Sequence, residues 1–366
     1  MSAMDTVEWE ACLLEPLHDR DAERHIRKAL GFVPPAATYF TDCAWIIRTI
    51  AAFNKSQLFA HLDHSLLDFV ALVVSQDNSC RYCYAATRSV LKILGIPDAR
   101  IRRLEEDFLT ADLSAPERLA LELARRVSHA RPLATAADAA PLLDAGYSRE
   151  AVIELAVLAA LNVFHNRIST LPALPPESVD ALARQWWVRL FRPLVARRIR
   201  PRRPARPPAQ PLPADALQGP FAPFIGALAG LPAAPRLRAV VDDAFASPIL
   251  SRRAKGLVFA VVARGLGCPL SEWEATQVII EQGLRREQVE DVLANLSSPA
   301  LEPIEILIVP FARETIWYQP AQIQRRAVAL RSSLTRAQFV ELVGVAALAN
   351  AMCRLSVAVA LARDGH

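Results

Sequence analysis

Apolar positions along this chain recur at spacings of three and four residues, the period of a helix that buries one face. The run SREAVIELAVLAALNVFHNRIS, from Ser148, shows it clearly, and Ser148 is its expected N-cap with Ala151 at N3. Thr335 stands in the same relation to RAQFVELVGVAALANAMCRLS. Ser114 opens SAPERLALELARRVSH, with Pro116 in the first turn, and Ser65 and Ser251 are expected to cap the runs that follow them. No alternating run bounded by turn residues stands out, so the pattern predicts an all-α protein.

Two stretches repeat each other. The segment SLLDFVALVVSQDNSCRYC from Ser65 aligns with SRRAKGLVFAVVARGLGCPLS from Ser251, placing Cys80 on Cys268 at an offset of 188. The run from Gly146 aligns with that from Ser333, placing Glu154 on Glu341 and Arg167 on Arg354 at an offset of 187. Two separated blocks at nearly one offset point to a tandem duplication, with five to seven helices expected in each unit. Between the units runs RPLVARRIRPRRPARPPAQPLP, whose prolines deny backbone hydrogen bonds and whose arginines repel. The expected organisation is a first unit over 1–190, a Pro/Arg-rich linker over 191–215 and a second unit over 216–366.

Length and composition fit this picture: 366 residues, 52% apolar and 22% charged, exclude a disordered chain and suit two globular units. The net charge is +4, but seven arginines without an acid fall between 192 and 206, so the rest is net acidic and a nucleic-acid partner is not expected. The N-terminus carries acids where a secretion signal needs basic and apolar runs, and Glu154, Glu341, Asn350 and Arg354 break the longest apolar stretches. A cytoplasmic location without membrane insertion is the expectation. In a reducing compartment, six sparse cysteines read as redox or ligand chemistry where they cluster, and as buried side chains at Cys12, Cys43 and Cys353. Trp186 and Trp187 are expected to pack the linker helix onto a unit, Arg236, Arg238, Arg252 and Arg253 to form a solvated face, and His165 to be an ordinary half-buried histidine.

The cluster is Cys80-Arg81-Tyr82-Cys83, which follows the polar break Ser75 to Ser79 and precedes a helical run ended by Gly95-Ile96-Pro97. Two cysteines three apart at a helix N-terminus bring their sulfurs together, where unpaired N–H groups and the helix dipole favour a thiolate. Arg81 adds positive charge, and this is the requirement for dithiol–disulfide exchange. Two other readings stand beside it: two small buried side chains, or a zinc site completed by His61 and His64.

The segment LLDFVALVVSQDNSCRYCYAAT resembles the core motif of the alkylhydroperoxidase D-like, or carboxymuconolactone decarboxylase-like, proteins, especially their peroxidase-related branch. The redox members of that family carry an acid twelve residues before C-x-x-C and a histidine four beyond it. Here Asp68 stands at the acid position, Cys80 and Cys83 match, and Thr87 replaces the histidine. Asn166-Arg167 also resembles a pair near the end of that domain. The likeness covers about 30–175 closely and about 225–360 in weakened form.

The resemblance implies two tandem all-helical units, oligomeric assembly, and a dithiol that reduces a small hydroperoxide or disulfide. A thiol-reducing protein or small thiol would re-reduce it, and neither a cofactor nor a metal is implied. Asp68 and Thr87 would relay protons with Cys83 the favoured sulfur, although threonine cannot act as a base near neutral pH, so Glu154 or His165 are possible substitutes. In the second unit Ser271, Gly256 and Ala275 stand at the positions of Cys83, Asp68 and Thr87. Cys268 is expected to be alone, and that unit to be a degenerate copy kept for packing. Two rival expectations are a decarboxylase-like enzyme without redox chemistry and a non-catalytic helical binding module.

Overall fold

Side-chain caps open the long helices. The Ser148 hydroxyl accepts from the Ala151 N–H at 3.2 Å ahead of a helix over Arg149–Thr170. Thr335 accepts from the Gln338 N–H at 3.2 Å in a reciprocal box ahead of Arg336–Arg354, and Ser114 and Glu117 form the same box ahead of Ala115–Ser128. Ser251 accepts from the Ala254 N–H at 3.1 Å before Arg252–Leu266. Ser65 does not cap. Asp63 takes the extended N-cap conformation, the helix starts at His64, and Ser65 falls inside its first turn.

A computed structural model describes residues 8–53, 58–176, 218–317 and 319–363, with five isolated positions between 191 and 212. Trp186, Trp187 and nearly all of the Pro/Arg segment 191–215 lie outside the described residues. In chain order the helices are α1 (Arg20–Leu30), α2 (Ala44–Ala52), α3 (His64–Asp77), α4 (Arg81–Ile93), α5 (Asp98–Asp107), α6 (Ala115–Ser128), α7 (Ala136–Asp144) and α8 (Arg149–Thr170). They continue as α9 (Ala222–Gly226), α10 (Ala233–Ala246), α11 (Arg252–Leu266), α12 (Pro269–Glu281), α13 (Arg286–Asn295), α14 (Pro303–Glu314), α15 (Pro320–Arg331), α16 (Arg336–Arg354) and α17 (Ser356–Arg363). The all-α expectation holds, with no strand among the described residues. Each half carries more helices than five to seven because short ones such as α9 leave no periodic signature.

The central helices α8 and α16 lie against each other. In the first half α3, α4 and α6 pack around α8, and in the second α11 packs on α16 and α12. A second crossing joins α2 to α10, and α17 lies on α7 and α8. One apolar cluster therefore runs through both halves, from Ile26 and Phe69 to Phe259 and Val359. Each fully buried Leu, Val or Phe in it contributes about 1.5–3 kcal/mol. By length and composition, Arg149–Thr170 and Arg336–Arg363 are apolar enough to cross a membrane (mean hydropathy 1.4 and 1.8 over the best window), but 94% of each window is buried inside the protein.

Close approach and polar contacts fix the seam. Gly344 of α16 has no side chain where Trp45 and Ile46 of α2 press in; a Cβ there would meet the Trp45 ring at 2.8 Å. The Trp45 indole N–H donates to Glu341 Oε1 at 3.1 Å, and Glu341 also accepts from the Leu250 N–H and pairs with Lys255 at 3.5 Å. The expected solvated arginine face is corrected: none of the four is exposed. Arg238 is buried and turned inward, donating to the Pro220 carbonyl at 2.7 Å and pairing with Asp242, and Arg253 bridges Glu302 and Glu305.

Candidate functional site: the Cys80–Cys83 pair

The turn between α3 and α4 sets the pair. Ser79 takes a left-handed conformation (φ 47°), uncommon for a residue with a side chain, which swings the chain back so that the Cys80 N–H donates to the Ser75 carbonyl at 2.9 Å. Cys80 then adopts the extended N-cap conformation, and its sulfur accepts from the Cys83 N–H at 3.3 Å. Both expected cysteines thus come together at a helix N-terminus. Cys80 is fully buried and Cys83 half-buried. The Cys83 S–H donates to Ser169 Oγ at 3.7 Å, with the Cys80 sulfur close enough for the two thiols to interact.

Burial alone would push the Cys80 thiol up. The Cys83 S–H and N–H, the Thr170 hydroxyl and the Tyr82 N–H outweigh that cost and hold it below the ordinary thiol value. Thr170 is buried, and among the described residues no group within ordinary hydrogen-bond distance engages its hydroxyl, which leaves it available to the nearby sulfur. Arg81 turns toward the end of α8, donating to the carbonyls of Leu174 at 2.8 Å and Ala173 at 2.6 Å, and stacks over Trp9 at 4.6 Å. From there its charge still acts on Cys80.

Asp68 lies half-buried in the second turn of α3 and Thr87 half-buried in the second turn of α4, two helices packed on each other. Glu154 does not substitute for the missing histidine. It accepts from the Ala60 and His61 N–H groups at 2.9 Å and from His61 Nδ1 at 2.8 Å, and it sits about 22 Å along α8 from Ser169. The same bonds hold His61 against α8, and no group of three or more His, Cys, Asp or Glu side chains among the described residues is arranged to hold a metal ion. Asn166 accepts from Ser75 Oγ at 3.2 Å and donates to the Val74 carbonyl, locking α8 onto the end of α3.

The second half repeats the turn. Gly267 is left-handed (φ 69°), the Cys268 N–H donates to the Ala263 carbonyl at 2.9 Å, and Cys268 is the N-cap of α12. Gly256, at the position of the acid, lets α11 approach α12: a Cβ there would stand 2.9 Å from Ile279 Cγ1. The expectation of a lone Cys268 is corrected. Cys353 of α16 lies close enough for its thiol to interact with the Cys268 sulfur, and the Ser271 hydroxyl, 3.3 Å from that sulfur, also interacts with Cys353. Cys12 is half-buried rather than buried, its S–H donating to the Leu14 carbonyl at 3.1 Å. Cys43 and Cys353 are buried as expected.

Sequence reasoning missed Ser169, Thr170 and Cys353, which reach the sulfurs from distant helices. Cys353 does carry a signal, because at the offset of 187 it stands on Asn166, one residue before the matched arginines. No protein-family model matches the chain, and a search of curated proteins likewise finds no match.

Proposed function

We propose that the protein is a dithiol oxidoreductase of the alkylhydroperoxidase D-like kind, reducing a hydroperoxide or a disulfide through Cys80 and Cys83. The observation that carries this reading is the geometry of the turn: buried Cys80 caps α4 and its sulfur accepts from the Cys83 N–H at 3.3 Å, with half-buried Cys83 one turn further on, and this bonding favours the Cys80 thiolate. A sulfur favoured as thiolate at a helix N-terminus, beside a second and more accessible thiol, is poised for exchange chemistry.

Cys83, the half-buried member, meets the oxidant. As its sulfur attacks the distal oxygen of a hydroperoxide, its proton passes to Cys80. The O–O bond breaks, the alkoxide takes a proton from water and leaves as the alcohol, and Cys83 becomes a sulfenic acid. Cys80 then attacks that sulfur, the S–O bond breaks, and the departing hydroxide leaves with the Cys80 proton as water. A thiol reductant returns two electrons and two protons to the disulfide. Asp68 and Thr87 are assigned the ordering of water on the α3–α4 face, and a reducing cytoplasmic setting suits the cycle.

The tandem organisation belongs to the same proposal. Ser79 and Gly267 share a left-handed backbone, and the bonds from Cys80 to Ser75 and from Cys268 to Ala263 recur at one offset. Equivalent helices pack on each other, α2 on α10 and α8 on α16. This supports a duplication in which the second half stands in for a partner subunit, with further copies of the chain able to associate around it.

The test is oxidation of the reduced protein with one equivalent of cumene hydroperoxide, followed by alkylation and mass mapping. The expected product is a Cys80–Cys83 disulfide, absent in Cys83→Ser; in a chain that also carries Cys268→Ser and Cys353→Ser it forms with one equivalent of cumyl alcohol. Two cysteines that stay fully alkylatable overturn the reading.

A further inference from the structure

Cys268 is not a remnant with nothing to pair with. It caps α12 with the geometry of Cys80, its sulfur lies 3.3 Å from the Ser271 hydroxyl, and the Cys353 thiol from α16 lies close enough to interact with it. The protonated Cys268 donates to Ser271 Oγ, and the Cys353 thiol and the Ser271 hydroxyl and N–H are the groups that favour its ionised form. Led by the Cys353 bond, they overcome burial and bring Cys268 down to about 6, whereas the same bond and burial push Cys353 well up. That difference suits Cys268 as the attacking sulfur and Cys353 as the thiol that resolves it. The Arg354 guanidinium, buried beside Cys353 with Nη2 unpartnered among the described residues, favours negative charge on Cys353.

Cys268 also has an approach. It lines a cleft of about 740 Å³ whose walls are largely apolar, among them Leu133, Ala134, Leu270 and Val359, with Arg131 and Arg363 also on its boundary. Arg131 is already engaged by the Gly265 carbonyl at 2.8 Å and by the Trp317 ring, so the lining offers an entering molecule mostly hydrocarbon contact.

We propose that Cys268 and Cys353 form a second redox pair, with Cys268 the nucleophile reached from the cleft and an apolar organic hydroperoxide its oxidant. Cys268 attacks the distal peroxide oxygen; the O–O bond breaks, the alkoxide takes a proton from water and leaves as the alcohol, and Cys268 becomes a sulfenic acid. Cys353 then attacks the Cys268 sulfur, and hydroxide leaves with the Cys353 proton as water. The disulfide joins α12 to α16. This pair is independent of Cys80 and Cys83, and its partner thiol comes from a position outside any C-x-x-C spacing.

The test uses the full chain carrying Cys80→Ser and Cys83→Ser, with helix content checked by circular dichroism. One equivalent of cumene hydroperoxide is expected to yield cumyl alcohol and a Cys268–Cys353 disulfide on mass mapping, while Cys12 and Cys43 stay alkylatable. Adding Cys353→Ser is expected to abolish the disulfide and leave a dimedone-trappable sulfenic acid on Cys268. Ala360→Trp, at another residue of the cleft lining, is expected to slow cumene hydroperoxide at least tenfold and hydrogen peroxide far less. Cys268 and Cys353 remaining reduced overturns the pair. An equal response of both peroxides to Ala360→Trp overturns the apolar substrate. The wild-type test of Cys80 and Cys83 succeeds or fails separately.

Discussion

Arg167, buried near the end of α8, donates from Nε to the carbonyl oxygen of Thr315 at 3.2 Å, and Arg354, at the end of α16, donates from Nε to the carbonyl of Ser128 at 3.0 Å. The two arginines stand 187 positions apart, and so do the two carbonyls. Each half therefore reaches into the other by the same bond, the reciprocity of a two-fold interface. The arginines also repel: after burial, the nearby Arg167 charge is what most depresses Arg354. Arg167→Met and Arg354→Met are each expected to cost about 1–3 kcal/mol through a stranded buried carbonyl. The double variant should cost more than their sum by at least about 0.5 kcal/mol, because either single change already relieves the whole repulsion and the double change relieves it only once. Urea unfolding of the four proteins completes that cycle.

The low Cys80 value depends on donors that can be removed singly. In a Cys268→Ser background, thiolate absorbance near 240 nm is expected to titrate below the ordinary thiol range of about 8.5. Cys83→Ala removes the S–H donor and Thr170→Val the hydroxyl, and each should move the midpoint upward. An unmoved midpoint in both would mean that these donors do not set it.

Glu274 gives a pH dependence of stability. It is buried in α12, with Oε1 accepting from the Phe224 N–H at 2.8 Å and Oε2 unpartnered, and burial raises it to about 7. Between its unfolded value near 4.5 and about 7 the folded protein keeps a proton that the unfolded chain has lost. Stability therefore falls as pH rises through that window, by up to about 3 kcal/mol from this group alone. Glu274→Gln retains the acceptor and removes the titration. It should flatten the decline and raise the melting temperature above pH 7, as calorimetry across pH 5–8 would record.

Gly344 tests the seam by addition. A methyl group there has to displace the Trp45 ring, which is rigid and tied to Glu341. Gly344→Ala is expected to lower stability by about 1–3 kcal/mol through overpacking. Trp45→Phe should cost a similar amount by leaving a buried carboxylate oxygen short of a donor. Denaturant midpoints report both.

What could be read in the sequence was local. Ser114, Ser148, Ser251 and Thr335 act within three residues of themselves, and Cys80 and Cys83 within one helical turn, so spacing alone placed them. Ser65 misled because the chain before it is extended through Asp63, a choice made by backbone geometry rather than by cap chemistry. Ser169, Thr170 and Cys353 reach the sulfurs across more than eighty residues of chain, and nothing in their neighbours' periodicity records where α8 and α16 end in space. Arg238 looked solvated for a similar reason: the Pro220 carbonyl that draws it inward is supplied by a distant turn.

The contact of α8 with α16 has a consequence for how the molecule responds to dilution and to change. A seam between separate molecules opens as concentration falls, and every substitution on it appears twice about the axis. Here both sides belong to one polypeptide, so the seam closes at any concentration and each replacement is felt once. Ser271 and Cys83, at matching places in the two turns, can therefore differ without either forcing a change at the other.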